Sequence, residues 1–168
     1  MHALARLGTC TAAITVLITP AATFEITAAA AQGGTTVVLD NYLRLCDFSR
    51  VSFDPMVPHP MLATGSAVIH TSGSKAVAEV HLYDEPEPGA HFDVGLIQMP
   101  RPASATCGPG DPGTTFTGLD TDAAGNGTAI VQGAIAPGTT GVWVMVERPN
   151  GNSQNPAEFY TSEFVAPV

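Results

Sequence analysis

The amino-acid sequence predicts an all-β protein: a single antiparallel β-sandwich, immunoglobulin-like or prealbumin-like, preceded by a signal peptide. Three observations carry this expectation. No segment sustains an apolar period of 3.6 residues, whereas period-two or fully apolar runs recur at intervals of roughly ten residues. Glycine and proline, 17 and 14 of the 168 residues, cluster between those runs, where turns need them. The first 31 residues have a different character, the order of an export signal.

That order begins with "MHALAR", a short segment with Arg6 as its only charged side chain. Leu7 to Ile18 form an apolar run of about a dozen residues, too short to span a bilayer. Pro20 breaks it, and Ala29 and Ala31 offer a small-x-small cleavage site before Gln32. Cys10 precedes the apolar run instead of ending it, which does not suit lipidation. Residues 1–31 are therefore expected to be a signal peptide and 32–168 one β-sandwich domain. No integral membrane span is expected in the mature chain.

"TTVVL" (35–39) reads as a first strand, and "NYLRLCDF" is ambiguous between strand and a helical turn. "DPMVPHPML" holds three prolines, each without an N–H, so it reads as an extended loop. "GSAVIHTS" is a strand that Gly73 closes. In "KAVAEVHLY", Ala76, Ala78, Val80 and Leu82 point to the core, while Lys75, Glu79, His81 and Tyr83 point away. "AHFDVGLIQM" alternates likewise, with Phe92, Val94 and Leu96 inward and His91 and Asp93 outward. "DEPEPGA" between them reads as a charged hairpin loop, since two prolines forbid helix and Gly89 eases a turn. "TTFTGL" and "GTAIVQGAI" flank a second turn, "DTDAAGN", and "EFYTSEFVA" closes the fold.

"GVWVMVERP" is apolar along most of its length, as a strand buried on both faces must be. Trp143 is expected to be its core anchor, with the indole N–H bonded to a backbone carbonyl. The functional alternative is a stacking platform for a ligand.

Export decides the cysteines. Cys10 leaves with the signal, and Cys46 and Cys107 form an even pair in an oxidising compartment, where a disulfide is expected. Closing a loop of some sixty residues stabilises by about 4 kcal/mol in the chain-entropy model. Past residue 31, five Lys and Arg face fourteen Asp and Glu, and the net charge stays at −9 because Arg6 and Glu25 cancel. With no basic cluster, neither nucleic acid nor an anionic membrane surface is an expected partner.

Candidate chemistry is sparse. If the strands around "DEPEPGA" pair, Leu82 opposite Ala90 sets His81 beside His91. Two imidazoles there suit zinc or copper, with Glu79 or Asp93 as a third ligand. Leu82 opposite Phe92 would instead give a His81–Asp93 ion pair. Met56, His59 and Met61 form an M-x-x-H-x-M cluster whose thioethers and imidazole suit copper. "DTDAAGNG" has Asp120 and Asp122 at the first two ligand positions of a calcium loop. It has Ala124 and Val131 where further oxygens are needed, so it reads as a turn. No serine stands in G-x-S-x-G and no H-x-H pair exists, so neither an esterase-type nucleophile nor a dismutase-type metal site is indicated.

"FDVGLIQ", "TDAAGNG" and the cysteine pair together resemble small exported β-sandwich proteins of actinobacteria whose function is unknown. The likeness covers residues 75 to 148 and implies fold and export, with no functional residues attached. The expectation is thus an acidic, disulfide-bonded, non-enzymatic binding or envelope-associated module, secreted or at the cell envelope, with an unknown extracytoplasmic ligand and no cofactor. The alternative is an exported copper- or zinc-binding protein.

Overall fold

The computed structural model describes residues 33–51, 63–85, 87–153 and 155–168. The signal segment and the Met56–His59–Met61 cluster lie outside the described residues. No helix occurs among those described, and none is therefore long and apolar enough to cross a membrane. Nine strands do: β1 (Thr35–Asp40), β2 (Thr64–Ser72), β3 (Lys75–Tyr83), β4 (His91–Met99), β5 (Thr114–Asp120), β6 (Asn126–Ala134), β7 (Gly141–Arg148), β8 (Glu158–Ser162) and β9 (Ala166–Pro167).

All pairings are antiparallel, and the sheet runs β5-β4-β7-β8-β1-β2-β3-β6, with β9 added to β7. Its two ends meet. A Cβ on Gly133 would sit 2.4 Å from the Thr115 hydroxyl, and one on Gly127 would sit 2.3 Å from Leu119, so β5 and β6 lie against each other without a shared ladder. The result is a sheet nearly closed into a barrel. Within the hydrogen-bonded order its shortest ladder is β1–β8, where only Leu39↔Ser162 and Asp40↔Thr161 pair.

The expected alternation holds in β3 and β4: Ala76, Ala78, Val80, Leu82, Phe92, Val94 and Leu96 all enter the buried core. The expected hairpin between these two strands does not form. β3 pairs with β2 on one side and β6 on the other, while β4 pairs with β5 and β7. Loop length explains the difference. β2 and β3 are joined by two residues with Gly73 at φ 59°, the geometry that sets a tight hairpin. Once β6 takes the other edge of β3, no ladder is left for β4. The seven residues from Asp84 to Ala90 therefore cross between the two halves of the sheet.

β7 is buried on both faces, as its composition demands. Val142, Val144 and Val146 face the barrel interior. Trp143, in register with Ile97 of β4, faces outward yet is 1% exposed. What covers it is the segment Arg44–Arg50, folded back on itself through an Arg44↔Arg50 bridge. The Phe48 ring lies 5.6 Å from the Trp143 ring at 60°, and the Arg44 guanidinium sits 3.8 Å over Phe48. Phe48 holds a φ of 69°, a left-handed conformation costing about 1–2 kcal/mol for a non-glycine residue. That cost is offset by the aromatic contact and apolar burial it permits.

Cys46, in the same segment, is bonded to Cys107 with an S–S distance of 2.09 Å and Cα atoms 5.5 Å apart. The bridge ties the cover to the loop after β4. Arg101 organises that loop by donating to the carbonyls of Pro112 and Thr106. The expected partner for the Trp143 N–H is missing: Nε1 is buried without a hydrogen bond.

Replacing both Cys46 and Cys107 by Ala should lower unfolding stability by about 2–4 kcal/mol. It should also let the cover lift, shifting Trp143 emission to the red and raising its quenching by acrylamide. Unchanged emission would mean the cover holds without the bridge.

Candidate functional site

The two halves of the sheet differ on their outer faces. The β4–β7–β8 face lies under the disulfide-tied cover, whereas the β1–β2–β3–β6 face carries none among the described residues. Val38, Tyr83 and Ile130 are exposed there at 50%, 44% and 59%. A shallow groove of about 380 Å³ opens at one end of this face. Ladder register builds it from two cross-strand rows: Thr64, Tyr83 and Asn126, then Ser66, His81 and Thr128. Side chains in such rows stand about 5 Å apart and point the same way. Among the described residues, no Asp, Glu, Lys or Arg lines the groove, although the chain carries −9. Its hydroxyls, amide, imidazole and phenol can donate and accept hydrogen bonds, and the exposed Tyr83 ring offers a flat apolar face.

His81 therefore has Ser66 and Thr128 as strand neighbours, with Thr128 Oγ1 3.3 Å from its Nδ1. His91 lies on the other half, opposite Asp120. Neither the register that would set His81 beside His91 nor the one that would pair His81 with Asp93 occurs, because β3 and β4 are not partners. His91 is instead held between carboxylates, with Nδ1 2.7 Å from Asp120 Oδ1 and Nε2 3.6 Å from Asp93 Oδ1. Both ring nitrogens are thus engaged. The Asp120 hydrogen bond raises the imidazole above its ordinary value, partial burial opposes this, and the charges of Asp120 and Asp93 add to the rise.

Among the described residues, no three His, Cys, Asp or Glu side chains assemble a metal-holding group. Asp93 and Glu147 are cross-strand neighbours beside a shallow pocket lined by Asn150, Ser153 and Asn155. The Asn150 and Ser153 oxygens there are taken by N–H groups of their own turn. In the calcium-like loop, Asp122 accepts from the N–H groups of Ala124 and Asn126 at 2.8 and 2.9 Å. These bonds hold its carboxyl below the usual range and leave the loop a turn.

One cluster was not foreseen. At the end of the barrel beside the groove, Asp84 and Glu158 are both wholly buried. Arg148 Nε lies 2.8 Å from Glu158 Oε1, though the N–H is not aligned on that oxygen, and its Nη1 lies 3.3 Å from Glu87 Oε2. The Tyr160 hydroxyl donates to Glu158 Oε2 at 2.7 Å and accepts from Ala63 N–H at 2.9 Å. Burial pushes Tyr160 well above its ordinary value, and the bond to Glu158 adds to this. Neither oxygen of Asp84 has a partner. "DEPEPGA" is therefore not wholly a wet loop: its first residue continues the inward alternation of Ala78, Val80 and Leu82. The same period-two rule, applied to "EFY", places Glu158 and Tyr160 on one inward face.

Compared with known protein families, curated proteins and solved structures, the chain matches none. Its geometry alone supports a reading of function.

His91 should titrate above 6.5, and Asp120→Asn should bring it back toward that value, as followed by imidazole NMR resonances. Because the folded value is the raised one, the stability this pair adds is complete below the unfolded pKa near 6.5 and is lost as pH rises through the folded pKa. Exposure keeps that contribution small. A midpoint at or below 6.5 would contradict the pairing.

Proposed function

We propose that this protein is an exported, non-enzymatic binding module, secreted or held at the cell envelope, whose groove takes a neutral, hydroxyl-rich ligand such as an oligosaccharide. On this reading the two halves of the sheet act as the layers of a β-sandwich, in keeping with the small exported sandwich proteins the sequence resembles.

The observation that carries the reading is the pair of uncharged rows on a strongly acidic chain. An anionic ligand meets no cation in the groove, and a cationic one meets no carboxylate. Five hydrogen-bonding side chains around the exposed Tyr83 phenol suit hydroxyl groups and the apolar face of a sugar ring. The absence of a carboxylate from the lining also removes the acid–base pair that glycoside hydrolysis needs. Export is supported by the order of the first 31 residues and by the Cys46–Cys107 bridge. Among the described residues nothing specific favours the copper or zinc alternative, since His81 and His91 stand on unpaired strands, and Met56, His59 and Met61 lie outside them.

An array of neutral and charged glycans tests this directly. Wild-type protein should be retained on neutral members, and Tyr83→Ala should weaken retention by about tenfold or more, the scale of one lost stacking contact. No retained glycan, or equal retention by the Tyr83→Ala protein, would overturn the reading.

A further inference from the structure

Asp84 is the one carboxylate in the buried cluster to which no donor is directed. It is 0% exposed, and neither oxygen has a hydrogen-bond partner. Each element packed around it brings its own groups: Glu158 and Tyr160 from β8, Arg148 from β7 and Glu87 from the crossover. Among the described residues, no donor of these groups is bonded to Asp84. The guanidinium lies against Glu158 and Glu87, and the Tyr160 hydroxyl donates to Glu158. From the β5–β6 turn comes only backbone: the Gly125 carbonyl accepts from Asp84 N–H at 2.8 Å, while Asp122 is bonded to its own loop. A dry carboxyl among other acids, with no donor of its own, is stable only with its proton on.

The surrounding backbone leaves no slack. The crossover is laced to the turn by Gly89 N–H on the Thr121 carbonyl at 3.1 Å and Ala90 N–H on Thr121 Oγ1 at 2.9 Å. Thr121 Oγ1 in turn donates to the Glu87 carbonyl at 3.0 Å. Gly125, at φ 79°, approaches so closely that a Cβ there would lie 2.3 Å from the Asp84 carbonyl oxygen. Asp84 cannot move without moving the turn, and the turn leads into Asn126, the register partner of Tyr83.

We infer that Asp84 is a proton-operated latch: neutral, it lets the 84–90 crossover close on the 121–125 turn, and ionised, it releases that end of the barrel together with the Tyr83–Asn126 row of the groove. Burial is the largest cause raising its pKa, Glu158 and Glu87 add to it, Arg148 opposes, and the value reaches about 6. The folded protein thus holds this proton more tightly than the unfolded chain. The stability it brings is complete below the unfolded pKa near 4 and is lost as pH rises through about 6. The consequence for ligand binding rests on the proposed groove, but the latch does not.

Hydrogen exchange of the full chain, with protection corrected for intrinsic rates, tests it without any ligand. Between pH 5 and pH 7.5, protection over residues 84–90 and 121–126 should fall about tenfold or more, while β4 and β7 stay unchanged. Asp84→Asn, which cannot ionise, should stay protected at both pH values. Equal wild-type protection at both pH values, or an equal fall in the variant, would overturn the latch. If the variant does not fold, the carboxyl carbon resonance of Asp84 in the wild type decides: a midpoint near 6 supports the latch, and one near 4 refutes it.

Discussion

Strand β7 has no polar face, so water must be kept off both sides of it. The interior of the nearly closed sheet does this for Val142, Val144 and Val146. The outer side needs a separate device, because Trp143 and its register partner Ile97 would otherwise present an apolar surface to solvent. The device is the Arg44–Arg50 segment, seated by Phe48 on Trp143 and tied by Cys46 to the loop that follows β4. The disulfide, the left-handed Phe48 and the unpaired indole N–H belong to this single arrangement. Burial of Trp143 and Ile97, about 1.5–3 kcal/mol for each, offsets the cost of a strained residue and a lost hydrogen bond.

Covering one face leaves the other free. The β1–β2–β3–β6 half keeps its apolar residues interspersed with Ser66, His70, Glu79, His81 and Thr128, a pattern that tolerates water without a lid. Its rows are ordered by two long ladders, so the groove's side chains sit on rigid strands and lose little freedom on binding. The end of the groove is less secure. There the strands give way to the crossover and the β5–β6 turn, packed on a carboxylate without a donor. On the proposed reading, the same chain joins a recognition surface on paired strands to a charge-sensitive rim.

Much of the fold was legible from period two alone. Alternation gave the inward faces of β3 and β4, and the unbroken apolar run of β7 implied two buried faces. Even cysteine number and an expected export signal pointed to the bridge. Pairing was not legible, because alternation states which face a residue takes and not which strand lies beside it. His81 and His91 are ten residues apart in sequence yet lie on different halves of the sheet, since the two-residue Gly73–Ser74 turn claims one edge of β3 and β6 the other. Asp84 and Glu158 were missed for a related reason. Charged residues beside prolines read as solvent-facing, although extending the alternation by one step places both inside.

The two outer faces differ in what covers them, and carbene footprinting of the native, oxidised protein reads that difference residue by residue. Val38, Tyr83 and Ile130 should be labelled heavily, while Ile97, Trp143 and Phe159 should be labelled only after unfolding. Strong labelling of Trp143 and Phe159 in the native protein would show that the disulfide-tied segment does not cover β7. Protection of Tyr83 and Ile130 would show that the β2–β3–β6 face is not open to a ligand.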